Sequence, residues 1–126
     1  QIETYLQAQR LKEHEWMTRL NVQHEGYMPF GQGRANEMFE DPKILEIAAK
    51  YGKTPRQVAL RYQIQCGVIV IPKSVNPERV RANADVFDFA LSDQDMAALR
   101  SMDMEKPLTG DPETPERTMK ITGFKL

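Results

Sequence analysis

Short apolar runs alternate along the chain with stretches whose apolar residues recur at helical spacing, and turn chemistry stands at each change. "QIET" at the start reads as a short strand. From 7 to 20 the residues Leu11, Trp16, Met17 and Leu20 recur among Gln, Lys, Glu and Arg, which predicts an amphipathic helix. "NVQHEGY" then gives a second strand over Val22 to Tyr27, and "MPFGQGRANEMFE" shows turn formers without a helical period, so residues 28–40 read as a loop. A loop of that length in a compact domain is usually functional or disordered.

The second half is more strongly punctuated. Asp41 before Pro42 supplies an N-cap with Pro at the first helical position. Ile44, Leu45, Ile47 and Ala48 form the inward stripe, and Gly52 closes the helix. Thr54, Pro55 and Gln57 make a capping-box start for a helix that turns Val58, Ala59, Tyr62 and Cys66 inward and ends at Gly67. "VIVI" at 68–71 predicts a strand buried on both faces, the pattern of a parallel sheet. Asn76 with Pro77 starts a short helix to about Asn83, and Ser92 with Asp95 caps another carrying Met96, Leu99 and Met102. The segment after Pro107, rich in Pro, Thr, Gly and charge, reads as an irregular tail.

Strand, loop and helix recur three times, which is the grammar of a parallel α/β fold. Three strands make a thin sheet with two open edges, so further strands are expected to be missing. The first residue is Gln1, and the chain starts as if mid-element, which reads as a piece of a longer polypeptide.

Composition changes this picture little. At 126 residues and 40% apolar, a core can form. A net charge of −1 gives no bulk attraction to nucleic acid or an anionic membrane, so any anion site has to be local. The single cysteine, Cys66, excludes an internal disulfide framework and suits a reducing compartment; with no signal peptide and no span-length apolar run, the cytoplasm is the expected location.

Local cations do converge at "VIVIPKSVNPER" (68–79). A strand that runs directly into a helix N-terminus offers backbone N–H groups and a favourable dipole to an anion. Lys73 and Ser74 stand in that turn, and Arg79 lies in the first turns of the helix, with a guanidinium shaped to hold phosphate through two donors. From these residues alone, a phosphate site and a pair of surface cations are equal readings. Tyr27, at a strand end, reads first as a packed aromatic. His14, beside Glu13 and Glu15, reads as solvated and His24 as packed; neither makes a catalytic group. No cluster of Glu, Asp, His and Cys suggests a metal, and Ser74 lacks the His and Asp of an activated nucleophile.

"VIVIPKSVNPERVRANADVFDFALSDQDM" (68–96) resembles the signature near the C-terminus of aldo-keto reductases. "EIAAKYGKTPRQVALRYQIQCG" (46–67), "QIET" and "GYMPFGQGR" (26–34) extend the resemblance over nearly the whole chain to about residue 113. It implies a parallel (β/α)8 TIM barrel that reduces aldehydes or ketones with NADPH and oxidises alcohols in reverse. This chain would supply the sixth to eighth strands with their helices (1–106) and the C-terminal tail (107–126). In such barrels a phosphate site recurs after strands seven and eight.

The resemblance also assigns roles. Lys73, Ser74 and Arg79 would hold the 2′-phosphate of NADPH, with Val75 or Asn76 adding contacts nearby, and Asn83 would meet the adenine; where the fuller pattern carries Glu, this chain has Ala82. Tyr27 would stack on the nicotinamide and Gln1 would bond its carboxamide. Phe30, Gly31 and Gln32 align with the diphosphate loop, where Gly31 and Gly33 allow close backbone approach, and Met28 stands where a small hydroxyl residue is common. The acid–base machinery of the family, a Tyr with Asp, Lys and His partners, lies on the first four strands, and no residue here corresponds to it. Hydride transfer to a carbonyl needs protonation of the developing alkoxide, so the chain alone is expected to be inactive. The alternative is a non-catalytic remnant that binds nucleotide weakly or acts by pairing with another chain, a missing N-terminal half or a second copy.

Overall fold

A computed structural model describes residues 1–32 and 35–109. Its elements in chain order are β1 (Ile2–Glu3), α1 (Leu11–Arg19), β2 (Glu25–Tyr27), α2 (Ala35–Phe39), α3 (Pro42–Tyr51), α4 (Pro55–Gln65), β3 (Ile69–Val70), α5 (Pro77–Ala84) and α6 (Asp93–Arg100). The strands form one parallel sheet in the order β1-β2-β3, with Ile2 opposite Gly26 and Gly26 opposite Val70. The parallel α/β alternation is therefore present, on strands only two or three residues long.

Local chemistry sets the helix ends. Asp41 accepts from the Lys43 N–H ahead of α3, and Gly52 closes that helix at φ 62°. Thr54 and Gln57 form the expected reciprocal box before α4, and Gly67 follows it at φ 81°. Ser92 accepts from the Asp95 N–H to start α6. α3 packs against α4 and α6, while α4 packs on β3 and α5. Ile44, Ile47, Val58, Tyr62 and Leu99 meet there in the core.

Asp95 ties α6 to α3. Its carboxylate accepts from Lys50 Nζ at 2.7 Å, Tyr51 Oη at 2.6 Å and Ser92 Oγ at 2.6 Å. These bonds, that of Lys50 foremost, pull its pKa down to about 2.

Several expectations fail for identifiable reasons. The first helix begins at Leu11 rather than at residue 7, because residues 4–9 are buried in irregular conformation and Arg10 turns left-handed at φ 55°. Gln9 explains the choice. Its side-chain amide donates to the Leu6, Leu99 and Arg100 carbonyls, two of them at the C-terminus of α6, and its Oε1 accepts from Tyr62 Oη at 2.6 Å. The expected apolar face of α1 is not covered: no residue of the helix is buried, and Trp16 and Leu20 are 60% and 69% exposed. The second strand starts at Glu25, not Val22, and Val22 is exposed. Leu45 also points outward from α3.

"VIVI" is not buried on both faces. Val68 is buried but Ile69 and Ile71 are exposed, because α4 packs on β3 and the described residues leave the side chains that point the other way uncovered. The loop 28–40 contains the short helix α2, whose Met38 is fully buried in the core. His14 is not simply solvated. Its Nδ1 lies 3.0 Å from Nδ1 of His24, whose Nε2 lies 2.8 Å from Thr4 Oγ1.

Candidate cofactor site

The turn after β3 and the start of α5 carry the cations, and α5 begins as its sequence dictates. The Asn76 side chain accepts from the N–H groups of Glu78 at 2.9 Å and Arg79 at 3.2 Å. Pro77 has no N–H, so the first turn of α5 has no free amide left for a ligand. This corrects the expectation that a helix N-terminus holds the anion. The grip has to come from the side chains and the turn that precede the helix, and Asn76 serves the helix. Ser74 Oγ accepts from the Asn76 N–H at 3.2 Å, which fixes the turn.

Lys73, Ser74, Arg79 and Asn83 line one groove of about 360 Å³, together with Ala82, Phe30, Phe39, Thr54, Pro55, Arg56 and Gln57. Five of the expected positions, Phe30, Lys73, Ser74, Arg79 and Asn83, thus face one space. Among the described residues the groove carries three cations and no carboxylate. An unbalanced set of cations around a concave surface favours a polyanion, and Arg binds phosphate through paired donors.

Arg56 and Phe39 were not anticipated. The guanidinium of Arg56 lies 5.0 Å from the ring centre of Phe30 and 4.8 Å from that of Phe39, and the two rings meet edge-on at 6.0 Å. Each such contact contributes about 0.5–2 kcal/mol according to how dry it is. Burial, and then the charge of Arg79, lower the Arg56 pKa. The sequence signal was hidden, since Thr54-Pro55-Arg56-Gln57 reads completely as a helix start and Phe39 as loop.

The remaining expected residues lie elsewhere. Val75 projects into solvent at the tip of the turn. Tyr27 is half-buried at the carboxyl end of β2, its hydroxyl 3.5 Å from Thr109 Oγ1, and Met28 follows it at φ 55°. Thr109 and Leu108 are held in turn by Glu3, a buried carboxylate at the end of β1 that accepts their N–H groups at 2.8 and 2.6 Å. Gln1 is exposed at the opposite, amino end of β1 and donates to Glu25. Gln32 is exposed beside the described end of the loop, and Gly33 lies outside the described residues.

Gly31 needs no ligand to account for it. It sits at φ 63° and a Cβ there would come within 2.9 Å of the Tyr5 ring, so both conformation and packing demand glycine. The loop is anchored nearby, where Gln63 Nε2 donates to the Pro29 carbonyl at 3.2 Å. Among the described residues no group of His, Cys, Asp and Glu could hold a metal ion, and no helix is long and apolar enough to cross a membrane.

The chain matches the model of the Aldo/keto reductase family over residues 5–104. An aldo-keto reductase of Mycolicibacterium smegmatis is 49% identical over 105 residues, which are 83% of this chain and 36% of that protein. An aldo-keto reductase from a Medee basin deep-sea metagenome library superposes with a TM-score of 0.86 at 34% identity, over 89% of this chain and 41% of that one. A variant of Gox0644 solved in complex with NADPH gives a TM-score of 0.78 at 39% identity, over 86% of this chain and 39% of the other. The chain thus spans between 36% and 41% of the length of these relatives. Its three parallel strands and their helices fit part of the barrel such enzymes form, and the groove lies within the matched region. The chain belongs to the aldo/keto reductase family.

Proposed function

We propose that this chain is the cofactor-gripping, C-terminal part of an NADPH-dependent carbonyl reductase, corresponding to the last three strand–helix units of a (β/α)8 barrel. One observation carries the reading: Lys73, Ser74 and Arg79 converge on a groove that, among the described residues, has no carboxylate. A 2′-phosphate suits that set, because Lys73 supplies a point charge, Arg79 paired donors and Ser74 a hydroxyl, while Asn83 and the Phe30 ring offer an amide and a flat apolar surface to the adenine end. NADH has no phosphate at that position and gains nothing from the cations. NADPH, when bound, supplies the hydride for reduction of an aldehyde or ketone.

The half-buried Tyr27 ring, next to Met28 at the carboxyl end of β2, offers a face to the nicotinamide. Gln1 and Gln32 are assigned by resemblance alone. The proton donor for the developing alkoxide belongs to strands that this chain does not carry, so the carbonyl substrate is met by the rest of the barrel. The purified chain is expected to bind NADPH yet to consume none when a small aldehyde is added. Turnover at ordinary enzyme rates by the chain alone would overturn the division of labour.

A second reading, a non-catalytic piece that acts by association, has its own support in the apolar surface along β3 and α1. Ile69, Ile71, Trp16 and Leu20 are exposed there, and both β1 and β3 are sheet edges. Pairing with a missing N-terminal half covers such a surface, and so does self-association. Light scattering of the chain with and without a separately expressed N-terminal half separates the two.

A further inference from the structure

We propose that Arg56 is the third cation of the phosphate clamp, reading the anion together with Lys73 and Arg79 while holding the loop that carries Phe30 against the groove. The inference rests on the NADPH reading above and assigns a specificity-determining residue within it. Among the described residues Arg56 makes no hydrogen bond and no ion pair, and its guanidinium is engaged only by the faces of Phe30 and Phe39. Ring stacking leaves the in-plane N–H donors of a guanidinium free. A half-buried cation with unused donors, lining the same groove as Lys73, Ser74 and Arg79, has an anion as its natural partner.

Its neighbour sharpens the argument. Arg79 acts on Arg56 electrostatically with like sign. An anion held in the groove that both line lowers that repulsion. The rings add a link to the loop. Phe30 follows β2 and Phe39 ends α2, so one side chain at the start of α4 pins both ends of the loop.

The test is equilibrium titration of the full chain with NADPH and with NADH, for wild type, Arg56→Gln and Arg56→Lys. Arg56→Gln is expected to weaken NADPH at least about tenfold and NADH distinctly less, through the Phe30 contact that both share, so that the preference falls, whereas Arg56→Lys, which keeps the charge but loses the stacking and the paired donors, falls between wild type and Arg56→Gln. An unchanged ratio of the two affinities in Arg56→Gln overturns the proposal, as does a loss in Arg56→Lys as large as in Arg56→Gln. If the Gln variant does not fold, the Arg56 Nε–Hε resonance of the wild-type chain decides instead: it is expected to move with NADPH and not with NADH, and equal movement contradicts the assignment. A wild-type chain with no preference for NADPH removes the clamp itself, while a preference that survives Arg56→Gln removes only Arg56.

Discussion

His24 is buried between β1 and α1 and is held neutral: burial first, and then the nearby His14, push its pKa down to about 4 from 6.5. Thr4 Oγ1 donates to the Ile2 carbonyl at 3.2 Å and so accepts from His24 Nε2–H, which leaves His24 Nδ1 to accept from His14 Nδ1–H. In the unfolded chain the ring protonates near its ordinary value, so the unfolded state binds the extra proton between pH 6.5 and about 4. Stability therefore falls as pH drops through that window, by ~3 kcal/mol if the whole shift is expressed. Denaturant titrations at a series of pH values should show this decline, and His24→Gln should flatten it; an identical slope in the variant would place the effect elsewhere. Asp95 acts in a separate, more acidic window, because its lowered pKa withdraws stability only as pH falls through about 4 towards 2.

The same carboxylate decides a prediction for the helices. Asp95 gathers Lys50, Tyr51 and Ser92 at the junction of α3 and α6, so Asp95→Ala leaves a Tyr hydroxyl and the α6 cap without their acceptor. The expected cost is about 1–3 kcal/mol in thermal or denaturant unfolding, against less than about 0.5 kcal/mol for the exposed neighbour Asp93→Ala. Equal effects at the two positions would contradict the role given to the junction. α1 makes the opposite case, with no buried residue and Trp16 largely in water. Its amides should exchange with solvent far faster than those of α3 and α4, as hydrogen-exchange mass spectrometry would read directly.

Helix ends were legible in the sequence because Asp41, Thr54, Asn76 and Ser92 act on amides two or three residues away. The start of α1 was not, because Gln9 is committed to carbonyls at Leu99 and Arg100, some ninety residues along the chain. Burial of "VIVI" failed similarly, since an apolar run records what a strand is suited to and not which neighbours cover it. In the site, Lys73, Ser74 and Arg79 are legible in one local pattern, while Asn83 enters only through the family resemblance. Arg56 reaches the groove through an aromatic contact with Phe30 and Phe39 that no local spacing announces.

At the scale of the fold, the three parallel strands among the described residues leave both edges of their sheet open and an apolar face along β3 uncovered. The chain matches well under half of each relative's length. Those facts suit a portion of a barrel, and the proposed function gives that portion cofactor recognition and the other strands proton transfer. They also predict that a separately expressed N-terminal half restores NADPH-dependent carbonyl reduction to the mixture, measured as loss of NADPH absorbance; a mixture that stays inactive although the halves associate would count against the assignment of the strands. The central claim concerns the phosphate clamp, and it is tested most directly by titrating the chain with NADPH and NADH alongside Lys73→Gly and Arg79→His. Wild type should bind NADPH at least about tenfold more tightly than NADH, and each substitution should remove most of that difference while leaving NADH nearly unchanged. Equal affinity for the two nucleotides in wild type, or an undiminished preference in both variants, would contradict it.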